Sequence, residues 1–271
     1  MRSSVNDKSL FLLDMDGVIY HGNKLLPGAK EFIIKLKQLK KSFIFITNAS
    51  DKTRHQLSLK LNKMGIATEP SDFLTSAMAT AEFVSKQKPC GSAFVIGDDG
   101  LEEALKLKNF RLIQSEEIPD YVIVGGTRSN DIYNHTNIKI AINHVLKGAA
   151  LIGTNKDVLD NSENGYTPGC GALLAPIQIA TGVNPYYLGK PNSIMMNLAL
   201  EMASKRDGIE FKRENIVIIG DRMDTDILGG IESGICTILL LSGISKLEDI
   251  KTYSYSPDMI FNNLNEILNE I

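Results

Sequence analysis

Apolar residues fall in two recurring patterns along this chain. Short solid runs, Leu10-Phe11-Leu12-Leu13, Phe43-Ile44-Phe45-Ile46 and Ile216-Val217-Ile218-Ile219, have the length and content of strands buried on both faces. Between such runs apolar positions return at helical spacing. Ala29, Phe32, Ile33, Leu36 and Leu39 predict a helix opened by Pro27, with Lys35, Lys37, Lys40 and Lys41 as its solvated faces and end. The first run ends abruptly in Asp14-Met15-Asp16-Gly17, and residues 18–26 predict a small hairpin after it. The second run ends at Thr47-Asn48. A helix capped by Ser50 or Asp51 then runs to Met64, where Gly65 stops it. A short strand, Phe73-Leu74-Thr75, and a helix over 76–87 follow.

A Pro-Cys-Gly-Ser break at 89–92 opens a middle region with its own strands, Phe94-Val95-Ile96, Tyr121-Val122-Ile123-Val124 and Leu151-Ile152, and helices over 101–107 and 131–147. This region ends in a Gly-rich loop at 167–172 and a helix through Ile179, and the break Gly182-Val183-Asn184-Pro185 is expected to return the chain to the first domain. Further elements are a short strand at 186–188, a helix over 193–205, a helix near 225–232, a strand at 237–241 and an edge strand at 259–261. Strands alternate with helices throughout. The expected fold is α/β: a doubly wound, Rossmann-like parallel sheet core (1–86 and 185–271) with an inserted α/β cap domain (87–184).

Composition narrows the class. The chain has 271 residues and a net charge of −3, so no basic field points to a nucleic-acid polymer or an anionic membrane. Residues 1–8 are polar, and no run approaches the ~20 apolar residues of a membrane helix. Cys90, Cys170 and Cys236 are odd in number and widely spaced, which reads as reduced thiols in the cytoplasm. No G-x-G-x-x-G follows a strand and no Walker-type lysine is present, which argues against dinucleotide and P-loop chemistry.

The polar residues that end buried strands carry the chemistry. Asp14 with Asp16, Thr47 with Asn48, and Asp221 would share one edge of a parallel sheet, where such folds bind ligands. Alternation puts Asp14 and Asp16 on one side if the extension continues that far. Two like charges at a buried strand end repel, and a divalent cation or a proton would relieve them. Carboxylates suit Mg²⁺, a hydroxyl and an amide suit oxyanions, and Lys190 supplies positive charge; the set fits phosphoryl transfer. Read alone, each motif is ordinary turn or cap chemistry. His55, His135 and His144 lack metal-ligand spacing, His21 reads as a solvated turn residue, and Gly97-Asp98-Asp99-Gly100 as a helix-capping turn.

Four motifs in order resemble the haloacid dehalogenase-like phosphohydrolases, most closely the NagD-type subfamily with its α/β cap. They are Asp14-Met15-Asp16-Gly17-Val18, Thr47-Asn48, Gly189-Lys190-Pro191 and Gly220-Asp221-Arg222-Met223-Asp224-Thr225-Asp226. The resemblance implies that Asp14 is a nucleophile forming an aspartyl-phosphate and that Asp16 is the general acid and base. Thr47, Asn48 and Lys190 would hold the phosphoryl group, and Mg²⁺ would lie on Asp14, the Asp16 carbonyl and Asp221. Asp226 would act through a metal-bound water or by orienting Lys190; Asp224 falls off the pattern and reads as solvated or capping. It further implies a cap that chooses small soluble phosphate monoesters, with Arg128 (in Gly126-Thr127-Arg128), Asn155 and the 167–172 loop around Cys170 as candidate contributors. Nucleoside 5′-monophosphates are the expected substrates, with sugar phosphates, phosphoglycolate-like compounds and pyridoxal phosphate open, and a homo-oligomer equally open. Two alternatives stand beside this. A receiver-type phospho-binding module would hold its phosphoryl group without steady release, and Asp14 ahead of Asp16 and the inserted region argue against it. A phosphotransferase or mutase on the same fold would pass the group to an alcohol, and sequence separates it poorly.

Overall fold

The solid apolar runs become the inner strands of a six-stranded sheet. The computed structural model describes residues 4–114, 117–162 and 165–271, so the first three residues of the polar 1–8 segment lie outside the described residues. By internal contacts the chain forms two units: Met1–Thr47 with Leu57–Leu74 and Lys190–Ile271, and Asn48–Gln56 with Thr75–Gly189.

In the first unit the strand order is Met259–Phe261, Cys236–Leu240, Ile216–Gly220, Leu10–Leu13, Ser42–Thr47 and Phe73–Thr75. The strands from Met259–Phe261 through Ser42–Thr47 pair in parallel. The chain builds outward from Leu10–Leu13 to one edge and then resumes on its other side, so strand order switches between Leu10–Leu13 and Ile216–Gly220. Every residue of these two strands is buried, as their unbroken apolar content requires. Helix Ala29–Gln38 buries Ala29, Phe32, Ile33 and Leu36, each large side chain contributing about 2–3 kcal/mol of transfer free energy. Leu39, expected on that face, is the exposed residue just past the helix end. Phe11 meets Phe32 edge-on at 5.8 Å, and Phe45 stacks on Phe73 at 5.0 Å. The expected hairpin forms, with Tyr20–His21 antiparallel to Lys24–Leu25.

The helix after Thr47 starts later than expected, at Arg54. Thr53 and Gln56 form a reciprocal cap: Gln56 N donates to Thr53 Oγ1 at 3.2 Å and Thr53 N to Gln56 Oε1 at 2.8 Å. Ser50 and Asp51 are instead bound within the second unit. Ser50 Oγ accepts from Gly126 N at 2.8 Å, and the Asp51 carbonyl from Gly100 N at 3.2 Å.

The second unit has a five-stranded parallel sheet in the order Tyr186–Tyr187, Ala150–Gly153, Tyr121–Val124, Ser92–Ile96, Arg111–Leu112. Phe94, Ile96, Val122, Val124, Leu151 and Leu174 are part of its core. Tyr186–Tyr187 adds to this sheet, so the break near Gly182 only ends helix Cys170–Thr181, with Gly182 at φ 70°. Helix Ser76–Gln87 also counts with this unit. Strand Arg111–Leu112 and the hairpin Leu159–Ser162 with Gly165–Pro168 carry too little apolar pattern to be anticipated. Among the described residues no helix is long and apolar enough to cross a membrane.

Candidate active site

Strand register brings distant acids together. Leu13 pairs with Ile219, and Asp14 N donates to the Ile219 carbonyl at 2.9 Å, which sets Asp14 beside Gly220 and Asp221 at the switch in strand order. After Asp221 the chain makes a single π-helical turn, Met223–Ile227, before helix Leu228–Glu232. That wider turn buries Asp226, whose Oδ2 accepts from Arg222 N at 3.3 Å. One carboxylate oxygen from each of Asp14, Asp221 and Asp226 lies within 4.8 Å of the others, all three residues being buried.

Lys190 enters this cluster as the first residue of the last segment of the first unit. Its side chain is 3% exposed, and Nζ donates to Asp14 Oδ1 at 2.5 Å, Asp226 Oδ1 at 2.7 Å and the Ile46 carbonyl at 3.3 Å. Burial alone would lower its pKa; the carboxylates of Asp14 and Asp226 outweigh that and raise it, so the ammonium is firmly charged. Burial pushes Asp14 well above the carboxylate range, with Lys190 opposing and Asp226 and Asp221 adding to the rise. Burial, seconded by the charge of Asp226, pushes Asp221 up to about 6. Three buried carboxylates against one ammonium leave a charge deficit that a divalent cation would fill with hard oxygen donors, the chemistry Mg²⁺ prefers.

Gly17 and a loop that sequence reading passed over, residues 242–245, complete the cluster. A Cβ on Gly17, whose φ is 83°, would fall 2.4 Å from Asp221 Oδ2, and one on Gly243 would fall 1.9 Å from the same oxygen. Ile244 N donates to Asp221 Oδ2 at 2.7 Å, Ser245 Oγ accepts from Met223 N at 3.1 Å, and Ser242 Oγ donates to the Gly17 carbonyl at 2.8 Å. The available signal was Ser242-Gly243 ending the buried strand Cys236–Leu240, the same strand-end pattern that marks the other site residues.

The other expected residues divide between the two units. Asp16 does not share the burial of Asp14. The strand stops at Leu13, and the Met15 carbonyl accepts from the amides of Val18, Ile19 and Tyr20, so the chain turns and the expected alternation lapses. The Asp16 side chain is about half exposed, with Oδ1 3.3 Å from Nδ1 of the exposed His21. Thr47 is buried at the end of its strand, one residue after the carbonyl that Lys190 holds. Asn48 belongs to the second unit, where Nδ2 donates to Asp157 Oδ2 at 2.9 Å. Asn155 is buried there, its Nδ2 on the Asn48 carbonyl at 2.7 Å. Arg128 is exposed. Cys170 lies in no loop: it is the first residue of its helix, fully buried, its Sγ donating to the Val124 carbonyl at 3.2 Å, and burial raises its pKa. Asp224 is exposed and paired with Arg222 at 2.8 Å, as expected of a solvated acid.

Comparison with known proteins agrees with this architecture. Residues 11–111 match the model of haloacid dehalogenase-like hydrolases, and residues 187–267 a second, HAD-hydrolase-like model. An acid sugar phosphatase of Staphylococcus saprophyticus is 35% identical over 261 residues, 96% of this chain and 97% of that protein. A dihydroxyacetone phosphatase of Corynebacterium glutamicum is 38% identical over 257 residues, 95% and 90% of the two chains. NagD from Escherichia coli K-12 has a TM-score of 0.86 at 35% identity, covering 96% of this chain and 98% of that one. A 4-nitrophenylphosphatase from Thermotoga maritima has a TM-score of 0.88 at 32% identity, covering 98% of each. With two family models matched in order along the chain, near full-length relatives named as phosphatases and NagD among the similar solved structures, the chain belongs to the haloacid dehalogenase-like hydrolases, as a phosphatase of the NagD type.

Proposed function

We propose that this phosphatase is Mg²⁺-dependent and hydrolyses phosphomonoesters of small soluble metabolites through an aspartyl-phosphate on Asp14. The observation that carries the reading is the buried cluster of Asp14, Asp221 and Asp226 around the Lys190 ammonium. Asp14 attacks phosphorus through a carboxylate oxygen, forming the acyl-phosphate bond as the ester P–O bond breaks. Asp16, half exposed beside His21, gives its proton to the departing alkoxide and then takes one from the attacking water. That water breaks the acyl-phosphate bond, releasing inorganic phosphate and restoring the Asp14 carboxylate. Lys190 neutralises charge shared by Asp14 and the phosphoryl oxygens, and Asp226 keeps its Nζ aimed there. Thr47 offers its hydroxyl to a phosphoryl oxygen, with Asn48 beside it in the chain. Mg²⁺, held by Asp14, the Asp16 carbonyl and Asp221, would lower the repulsion between a carboxylate nucleophile and a phosphate dianion.

The second unit serves in this proposal as the inserted cap that selects substrates by excluding bulky ones. The names of the relatives favour sugar and triose phosphates. The likeness to NagD-type proteins extends the range to nucleoside 5′-monophosphates, and broad tolerance covers both. Three free cysteines fit a cytoplasmic enzyme.

The test is phosphate release from a panel of sugar phosphates, dihydroxyacetone phosphate, nucleoside monophosphates and 4-nitrophenyl phosphate. The arms are wild type with Mg²⁺, wild type with EDTA, and Asp14→Asn with Mg²⁺, with glycerol added to reveal transfer to an alcohol. Turnover confined to the first arm supports the mechanism, and the ranking names the substrate class. Turnover surviving in pure Asp14→Asn removes Asp14 as nucleophile, and glycerol phosphate forming in preference to free phosphate replaces hydrolysis by transfer.

A further inference from the structure

Thr47 and Lys190 stand at two chain passages between the units. The first segment of the first unit ends at Thr47 and its last segment begins at Lys190, with Leu57–Leu74 between them, while Asn48 and Gly189 belong to the second unit. These two neighbours are held by one short loop of the second unit, residues 154–157. Asn48 Nδ2 donates to Asp157 Oδ2 at 2.9 Å. The Asn48 carbonyl accepts from Asn155 Nδ2 at 2.7 Å and from Ser76 Oγ at 2.6 Å. Gly189 N donates to the Thr154 carbonyl at 2.7 Å. The backbone at Gly189 comes so close that a Cβ there would fall 2.6 Å from Asn48 Oδ1 and 2.8 Å from Asn155 Cβ.

The loop is itself braced. Asp157 N donates to Asn155 Oδ1 at 3.0 Å, and Thr154 Oγ1 donates to Ser50 Oγ at 3.1 Å. Gly171 N donates to the Asp157 carbonyl at 2.9 Å, and a Cβ on Gly169 would fall 2.3 Å from that oxygen. Thr154, Asn155 and Asp157 are all buried, so the bonds Thr154 Oγ1–Ser50 Oγ and Asp157 N–Asn155 Oδ1 form out of competition with water. A buried carboxylate accepting from an amide is among the stronger hydrogen bonds, and this one falls on the residue next to Thr47.

We propose that Asp157 and Asn155 are positioning residues of the reaction: by clamping Asn48 and bracing the loop that holds Gly189, they fix the backbone one peptide bond from Thr47 and one from Lys190. This rests on the reading of Thr47 and Lys190 as phosphoryl-binding groups. It gives Asn155 a part other than choice of substrate, because its amide is spent on the chain. Placement errors of about 1 Å at a phosphoryl-transfer centre can lower turnover about 100-fold, so loosening one clamp is expected to lower kcat about 10- to 100-fold.

The experiment uses the full chain with Mg²⁺ and compares wild type, Asp157→Ala, Asp157→Asn, Asn155→Ala and Lys190→Ala. Each is assayed on 4-nitrophenyl phosphate, a sugar phosphate and a nucleoside monophosphate for kcat and KM, with orthovanadate inhibition and thermal unfolding alongside. Asp157→Ala and Asn155→Ala are expected to lower kcat by the same factor on all three substrates, with KM within about 3-fold, and to weaken orthovanadate in parallel. Asp157→Asn keeps an oxygen for Asn48 Nδ2 and is expected to recover most of the turnover. Losses that differ among substrates would overturn the proposal in favour of direct substrate contact. Unchanged kcat, a loss matched by loss of folded protein, or Asp157→Asn no better than Asp157→Ala would also overturn it. Turnover retained by Lys190→Ala would instead sink the underlying reading of the site, so the two failures are told apart.

Discussion

Replacing Asp221 by Asn is expected to stabilise the metal-free protein while abolishing its response to Mg²⁺. Burial, with Asp226 close by, raises the carboxyl from its ordinary 3.8 to about 6. The folded state therefore binds more protons than the unfolded chain between those values, and stability falls as pH rises through that window and then levels off. Each pKa unit is worth about 1.4 kcal/mol, so metal-free wild type carries a penalty of roughly 3 kcal/mol at pH 8 and under about 1 kcal/mol at pH 4. Asn is isosteric and uncharged. Its oxygen can still accept from Ile244 N, the partner at 2.7 Å, so the substitution lifts the penalty without breaking that bond. At about 2–4 °C per kcal/mol for a chain of this size, Asp221→Asn should melt roughly 5–10 °C above wild type in EDTA at pH 8, and within about 2 °C of it at pH 4. Mg²⁺ should raise the wild-type Tm at pH 8, much less at pH 5 where protons compete for the same oxygens, and should leave the variant unmoved. A variant no more stable than wild type in EDTA at pH 8, or one that Mg²⁺ stabilises as much as wild type, would refute the view of Asp221 as an uncompensated acid awaiting a cation.

Gly17→Ala combines a φ of 83° with a Cβ 2.4 Å from Asp221 Oδ2, an oxygen that Ile244 N holds in place. A loss of about 2–4 kcal/mol in urea unfolding and a blunted Mg²⁺ shift are expected; wild-type stability would show that the loop yields freely. The thiols should separate by burial. Cys90 is exposed, whereas Cys170 is buried with its pKa raised by that burial, so a thiol reagent at pH 8 should label Cys90 within minutes and Cys170 only on unfolding. Labelling followed by peptide mapping reads this directly, and rapid native labelling of Cys170 would contradict its place in the core.

What the sequence determined by itself is local and repetitive. A run such as Leu10-Phe11-Leu12-Leu13 is unfavourable in water on either face, so it must be an inner strand. Ala29, Phe32, Ile33 and Leu36 at helical spacing likewise allow one helix face. The acids and Thr47 after such strands were legible as a shared edge because parallel strands put their carboxyl ends together, whereas Lys190 follows a strand of the other sheet. Which of them meet was decided by tertiary structure. The switch in strand order sets Asp14 against Asp221, more than two hundred residues away, and the π turn after Arg222 adds Asp226, which periodicity cannot register. The Met15 carbonyl turns the chain so that Asp16 parts from Asp14. Cys170 sinks into the core because its helix begins within the glycine-rich stretch. The amide of Ile244 and the clamp of Asp157 on Asn48 leave no local mark either. A hydrogen-bond partner and the dielectric around a charge belong to the residues packed against it, and those are supplied by the fold from anywhere along the chain.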